Sequence, residues 1–311
     1  MPTRATKKAF KSAVHHLLKA NGNPRPQHCK TTSPSTISRF HNKTRWDTQV
    51  LTRAMQAVVV NIIIKSYKHT RGAGQVIKAR LDLTTLEKTG NFPNLPITGF
   101  NAVKGLHIIV LYISVGNQSY PFHYAIWKGK GKATLTQLAL ALLKKLERSL
   151  PERFKIRAFT ELSRRGAMVF LNKCSVPVWV SWFKLELHGG EFEWRYVVST
   201  KVGDWLTIVT WGRARWAIEG FFKVMKSRFG LDQFGQRTLL GTIRFLLLSF
   251  LAFMLTSISR VDRSILPDWQ ALALELRRSL FARLEWAVVE REMFELEPYL
   301  QATMQDYASG T

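Results

Sequence analysis

"QVIKARLDLTTLE", residues 75–87, is where the period of the chain changes. Apolar residues alternate here and β-branched types enter, which is the pattern of a strand. "GLHIIVLYISVG" (105–116) and "YPFHYAIWKG" (120–129) continue it, with Gly116–Asn117 between them. Three strands in succession predict an antiparallel meander. Asp82 stands inside the first of them, flanked by Leu81 and Leu83. Such an acid is either an ordinary strand-end residue or a placed ligand, and the elements that follow bear on the choice.

Downstream, "TLTQLALALLKKLERSL" (134–150) sets Leu135, Leu138, Leu142 and Leu146 at helical spacing, with Thr134 as a candidate cap. "FKIRAF" (154–159) is a short strand candidate, and "VPVWVSWFKLEL" and "EFEWRYVVS" around "HGG" predict a hairpin. The next helix carries "RARWAIEGFFKVMKSRFGLDQFGQRTLLG" (213–241), in which Arg215, Glu219 and Lys226 are spaced by four and seven. At about 100° per residue they fall near 0°, 40° and 20°, on one stripe. Alone, that stripe reads equally as a solvated face of ion pairs, each contributing a few tenths of a kcal/mol. Three strands, a helix, a strand and a late acidic helix, however, follow the order of a ribonuclease-H-like domain. There, acids from the first strand, the fourth strand and the late helix meet at one edge and hold two divalent ions. Asp82 is then the natural first ligand. The fold class expected is α+β: a ribonuclease-H-like mixed sheet with flanking helices and a β-rich insertion near 165–200.

Upstream, residues 1–32 are basic and polar, broken by "GNPRPQ" and "KTTSP", and predict a mobile arm. "SPSTISRFHNKTRWDTQVLTRAMQAVVVNIIIKSY" (33–67) reads as short helices, capped by Ser33 or Ser35 and by Asp47 or Thr48. A short helix carrying Arg39 and His41, with Arg45 just beyond, either enters a DNA groove or serves as a small helical support. The organisation expected is a basic arm and helical DNA-binding region over 1–74, a catalytic domain over 75–258 and a helical tail over 259–311.

Composition narrows the partner. The formal net charge is +25, from 46 Lys and Arg against 21 acids. Up to residue 81 the single acid is Asp47, among sixteen Lys and Arg. A field of that sign attracts polyanions, nucleic acid first and an anionic membrane second. Cys29 and Cys174 match no metal-ligand spacing and no disulfide framework. The first twenty residues lack the apolar core of a secretory signal. "FLLLSFLAFMLTSI" (245–258), fourteen residues preceded by Arg244, is short for a membrane span and reads as a buried helix.

"SPSTISRFHNKTRWDT", "LDLTTLEKTGNF", "GLHIIVLYISVGNQSYPFHYAIWKGKGKATLTQLALALL" and "WGRARWAIEGFFKVMKSRFGLDQFGQRTLLG" together resemble a DDE transposase of bacterial insertion sequences. The resemblance runs from about residue 33 to 258. It is narrower still, to the group with a Tyr-Arg-Glu-Lys signature around the last catalytic acid. The spacing Arg, three residues, Glu, six residues, Lys fits Arg215, Glu219 and Lys226; the tyrosine falls at Gly212 and is absent. The resemblance implies metal-dependent DNA cleavage and strand transfer, with Asp82 and Glu219 as metal-binding acids. It implies phosphate or transposon-end contacts for Arg215 and Lys226, and Lys223, Arg39 and Arg45 are further candidate DNA contacts. The cofactor it implies is Mg²⁺ or Mn²⁺, two ions in an intact site. The expected partner is double-stranded DNA, the terminal inverted repeats of the chain's own element, with no membrane partner. A homodimer is the candidate assembly, and the expected location is the cytoplasm, at the nucleoid.

The pattern breaks in the middle. By resemblance the strand after the 134–148 helix should end in an Asp, yet no Asp occurs between Asp82 and Asp204. "LPERFKIRAFTELSRRGAMVFLNKCSVPVWVSW" passes from that strand into the β-rich insertion as if across an internal deletion. Glu161, seven residues after Phe154, is the nearest carboxylate, and its extra methylene displaces the charge in a site that tolerates about 1 Å poorly. Two outcomes follow: a transposase impaired by loss of its second acid, or a catalytically inactive remnant that only binds DNA.

Overall fold

The computed structural model describes residues 3–69, 78–115, 118–150, 167–169, 178–186, 192–199, 205–260 and 268–282 of the 311. The chain divides into two compact units, one made of residues 1–149 with 223–311 and the other of residues 150–222.

The first unit is organised on the meander. Strand β1 (Lys78–Glu87) pairs antiparallel with β3 (Val103–Val115), and β3 pairs on its other side with β4 (Gln118–Trp127). A short β2 (Thr98–Phe100) joins the start of β3. The alternation that marks β1 and β4 as half-covered strands gives way in β3 to an unbroken buried run from Gly105 to Val115. β3 is central, and both its faces are covered. Helix α4 (Leu135–Ser149) lies on one face, where Lys145 Nζ is 2.9 Å from His123 Nε2. Thr134 and Gln137 cap its start reciprocally: each side-chain oxygen accepts the other's backbone N–H. Helix α6 (Leu239–Arg260) lies on the opposite face, where the neighbouring Tyr124 donates its hydroxyl to the Ile243 carbonyl at 2.9 Å and its ring meets Phe250.

α6 contains the apolar run and is long and apolar enough to cross a membrane, but 78% of its most apolar window is buried within the protein. It is wrapped by α1 (Arg4–Lys19), α2 (Pro34–Asn42), α3 (Thr48–His69) and α7 (Trp269–Leu280) as well as by β4. Ser33 caps α2 through the Thr36 N–H and Asp47 caps α3 through the Gln49 N–H. α1 departs from expectation. The N-terminal basic stretch forms a helix, with Ala9, Ala13, Val14, Leu17 and Leu18 buried against its neighbours and Arg4, Lys7, Lys8 and Lys11 exposed. Its apolar residues recur at helical spacing, and their burial outweighs the basic composition that predicted an arm.

The second unit contains β5 (Ala167–Val169), β6 (Val178–Glu186) and β7 (Phe192–Ser199), an antiparallel sheet in the order β5-β6-β7 where the β-rich insertion was expected. Helix α5 (Trp205–Ser227) begins in this unit's span and delivers its last turn to the first. All strand pairs among the described residues are antiparallel. The strand expected at 154–159, whose pairing would make the sheet mixed, lies outside them.

Two features lend themselves to measurement. Gly22 has φ +84°, donates its N–H to the Arg228 carbonyl at 2.8 Å, and a Cβ there would sit 2.4 Å from the Ser227 carbonyl oxygen. Gly22→Ala should therefore cost more than about 2 kcal/mol in urea denaturation. Gly131→Ala, at φ +77° with open space around it, should cost about half that. His41, buried, has its pKa pushed down to about 4, by burial first, then by the Arg244 guanidinium and last by repulsion from His16 when both rings are protonated. A depressed pKa means the unfolded chain takes up the proton first, so stability is full above about pH 6.5 and declines as pH falls toward 4. The loss should be on the order of 3 kcal/mol. In His41→Gln the pH slope of the denaturation free energy over that range should shrink by one proton's worth, about 1.4 kcal/mol per pH unit.

Candidate active site

Asp82 occupies the middle of β1, opposite Val110 of β3, which is in turn opposite Tyr124 of β4. Directly opposed residues share a face, so Asp82 lies on the α6 side of the sheet with Thr84 and Leu86, both buried. The carboxylate itself is half-buried, and its Oδ1 accepts the Leu83 N–H at 3.0 Å. A strand acid held in this way is oriented, and its oxygens are chemically suited to a hard divalent cation.

The end of β1 is tied to the end of the signature helix. Lys226, in the last turn of α5, donates its ammonium to the Thr85 carbonyl at 3.1 Å, three residues along the strand from Asp82. Lys88, just past the strand, donates to the carbonyls of Asp232 and Phe234 at 2.8 and 2.9 Å and lies 4.0 Å over the Phe234 ring. Burial lowers its pKa, with the Asp232 carboxylate opposing the shift. Gly230, at φ +59°, lets this turn run against Pro24, so the α5–α6 connection is held from both sides.

Lys226, expected on phosphate, thus also serves as a structural tether, with two further ammonium hydrogens beyond the Thr85 bond. Glu219 lies on α5 seven residues before it and is exposed, as is Lys223. Trp216, one turn before Glu219, is 51% exposed on a helix otherwise rich in buried aromatics. The Arg215 side chain and all of Glu161 lie outside the described residues. Among the described residues no group of three or more His, Cys, Asp and Glu could hold a metal ion. Asp82 is the one acid of the expected set fixed by a contact in the first unit.

Arg39, on α2, and Arg45, in the turn after it, are exposed. Their backbone is pinned from beneath by Arg244 of α6, which sequence reading left unassigned. The guanidinium donates to the carbonyls of His41 at 2.9 Å and Trp46 at 3.0 Å and lies 4.8 Å over the Trp46 ring. It is 3% exposed. The signal was present in the sequence, a lone cation at the head of an apolar run, but its partners are about two hundred residues away.

The family model for the transposase DDE domain matches residues 28–255. Among solved structures, the chain is similar to the piggyBac transposase in a cryo-EM synaptic complex with hairpin DNA. The TM-score is 0.51 at 11% identity, covering 97% of this chain and 76% of that one, a likeness of fold. No curated protein matches the sequence.

Replacing Lys88 by Met keeps the stem and removes the ammonium, leaving two carbonyls without their donor. Lys88→Met should lower stability by about 2 kcal/mol in denaturant titration, whereas Lys104→Met, at an exposed position of β3, should leave it within about 0.5 kcal/mol of the unaltered chain.

Proposed function

Because the chain belongs to the transposase DDE-domain family, we propose that it is a DNA transposase acting at the ends of its own insertion sequence, on a ribonuclease-H-like catalytic domain. Asp82 and Glu219 are the acids that would hold Mg²⁺ or Mn²⁺, and Glu161 is the candidate for the third. Bound divalent ions would activate the attacking water or 3′-hydroxyl and stabilise the leaving oxygen. The chain's own part is placement. The observation that carries the reading is the family match together with the Lys226–Thr85 tether, which fastens the signature helix to the strand of Asp82. Arg215 and Lys223 are proposed to hold phosphates along the helix.

Double-stranded DNA as partner accords with the net charge of +25 and with the complex in which the piggyBac protein was solved. The exposed Arg39 and Arg45 are proposed phosphate contacts. Each neutralised phosphate adds about −0.9 to the slope of log K against log salt. Arg39→Gln with Arg45→Gln should therefore flatten that slope by about 1.8 units. Removing residues 1–32 would not test this, because it would strip a buried helix from α6.

We further propose that strand transfer is absent or very low, because no Asp lies between Asp82 and Asp204. Fixing two dications against their repulsion needs several anionic ligands, and each 1.4 kcal/mol lost is about tenfold in rate. The deciding experiment follows a labelled duplex carrying the element's ends, with Mg²⁺ or Mn²⁺, against the unaltered chain and its Asp82→Ala, Glu219→Ala and Glu161→Ala forms. The expected result is DNA binding by all four and strand transfer by none. Cleavage by the unaltered chain that all three substitutions abolish would overturn the impairment and make Glu161 the second acid. Absence of DNA binding would overturn the transposase reading altogether.

A further inference from the structure

On the side of the sheet away from β1, a cleft of about 620 Å³ opens between the start of α3, the end of β4, α4 and the start of α6. Its floor is apolar, with Ile243 and Tyr124 among its residues, and the Tyr124 hydroxyl is already bonded to the Ile243 carbonyl. Its rim is cationic: Arg53 from α3, Lys128 from the end of β4 and Lys145 from α4 all line it and are exposed. Among the described residues no carboxylate lines it. His123 is neutral here and leaves the charge of the rim intact, since its Nε2 accepts at 2.9 Å from a lysine ammonium that can only donate. Burial, and then repulsion from Arg53, lowers the Lys145 pKa, so an anion seated between them would relieve that repulsion. Arg53 is bonded only to the neutral Gln49 amide, at 3.1 Å, so three elements direct positive charge with no carboxylate partner among the described residues into one depression, and the loop beyond continues the charge with Lys130 and Lys132, both exposed.

We propose that this cleft is a second DNA-backbone site, in which Arg53, Lys128 and Lys145 grip consecutive phosphodiesters of a strand running past β4; the proposal rests on the reading that the chain acts on DNA. A phosphodiester strand fits because it brings acceptors in a row to a rim whose charged groups are all donors. Tyr124 stands in register with Val110 and Asp82 across the sheet. A strand held here is level with Asp82 but displaced by two strand spacings, roughly 10 Å. Its phosphates are therefore not the ones that Asp82 would address.

The test uses the full chain and a duplex of about 30 base pairs, read by fluorescence anisotropy across a range of salt. The combined variant Arg53→Gln, Lys128→Gln, Lys145→Gln should flatten the salt slope by between two and three units. A control that removes the same charge elsewhere, Lys65→Gln, Lys104→Gln, Arg278→Gln, should change the slope by less than one. Equal slopes for the two triple variants overturn the site while leaving the DNA-binding reading intact; no binding by the unaltered chain overturns both. Lysine acetylation of the unaltered protein, mapped by mass spectrometry, reads the site without any substitution. Duplex should slow modification of Lys128 and Lys145 at least threefold, and millimolar inorganic phosphate should not. Equal protection by phosphate would make this a small-anion site, and no protection by either would remove it.

Discussion

A helix that is apolar on every side has no face to give to water, and α6 is such a helix. From Phe245 to Met254 every residue is buried. Burying one such side chain is worth about 1.5–3 kcal/mol, so the helix is stable only if something covers each flank. The covering elements come from the whole length of the chain: α1 and α2 from its beginning, β4 from the sheet, α7 from beyond. Arg244, a cation buried at the head of this helix, shows what else the constraint demands. A buried guanidinium must be hydrogen-bonded, and it meets carbonyls at the C-terminal end of α2, where the helix leaves acceptors unsatisfied. Packing and polar satisfaction thus act together to place the α2 turn.

How much of this was legible follows from the range of the interactions. β1, β3 and β4 were readable because alternation and β-branching are local, and the caps of α2, α3 and α4 because a cap is a matter of three or four residues. α1 was not recognised, although its apolar residues stand at helical spacing. Sixteen cations in the first eighty-one residues make a strong compositional signal for an arm, whereas most of what the apolar face covers, α6 and α7, lies more than two hundred residues away. Arg244, Lys88 and Gly22 were invisible for the same reason. Each is defined by a partner more than a hundred residues distant, and no local pattern marks it.

The candidate site divides along the same line. Asp82 could be found from its strand, and the spacing of Arg215, Glu219 and Lys226 from helical geometry. What spacing could not say is that Lys226 would be bonded to main chain. A lysine in a charged stripe reads as a surface group, and the carbonyl that holds it belongs to a strand some 140 residues earlier. The signature lysine and the first acid are thereby parts of one mechanical assembly. Displacing either the strand or the last turn of α5 displaces the other.

The packing of α1 also bears on how the chain comes into being. Residues 4–19 are made well before the surfaces they bury against, since α6 and α7 begin more than two hundred residues later. At about 5–20 residues per second, the interval is roughly ten to forty seconds. Throughout it the apolar side of α1 has no native partner, and the nascent chain depends on chaperones or on its own charge to stay dispersed. A product terminated before residue 239 would lack the helix that α1, α2, α3 and α7 cover. The N-terminal helices therefore reach their native packing only once the chain has been made through α6.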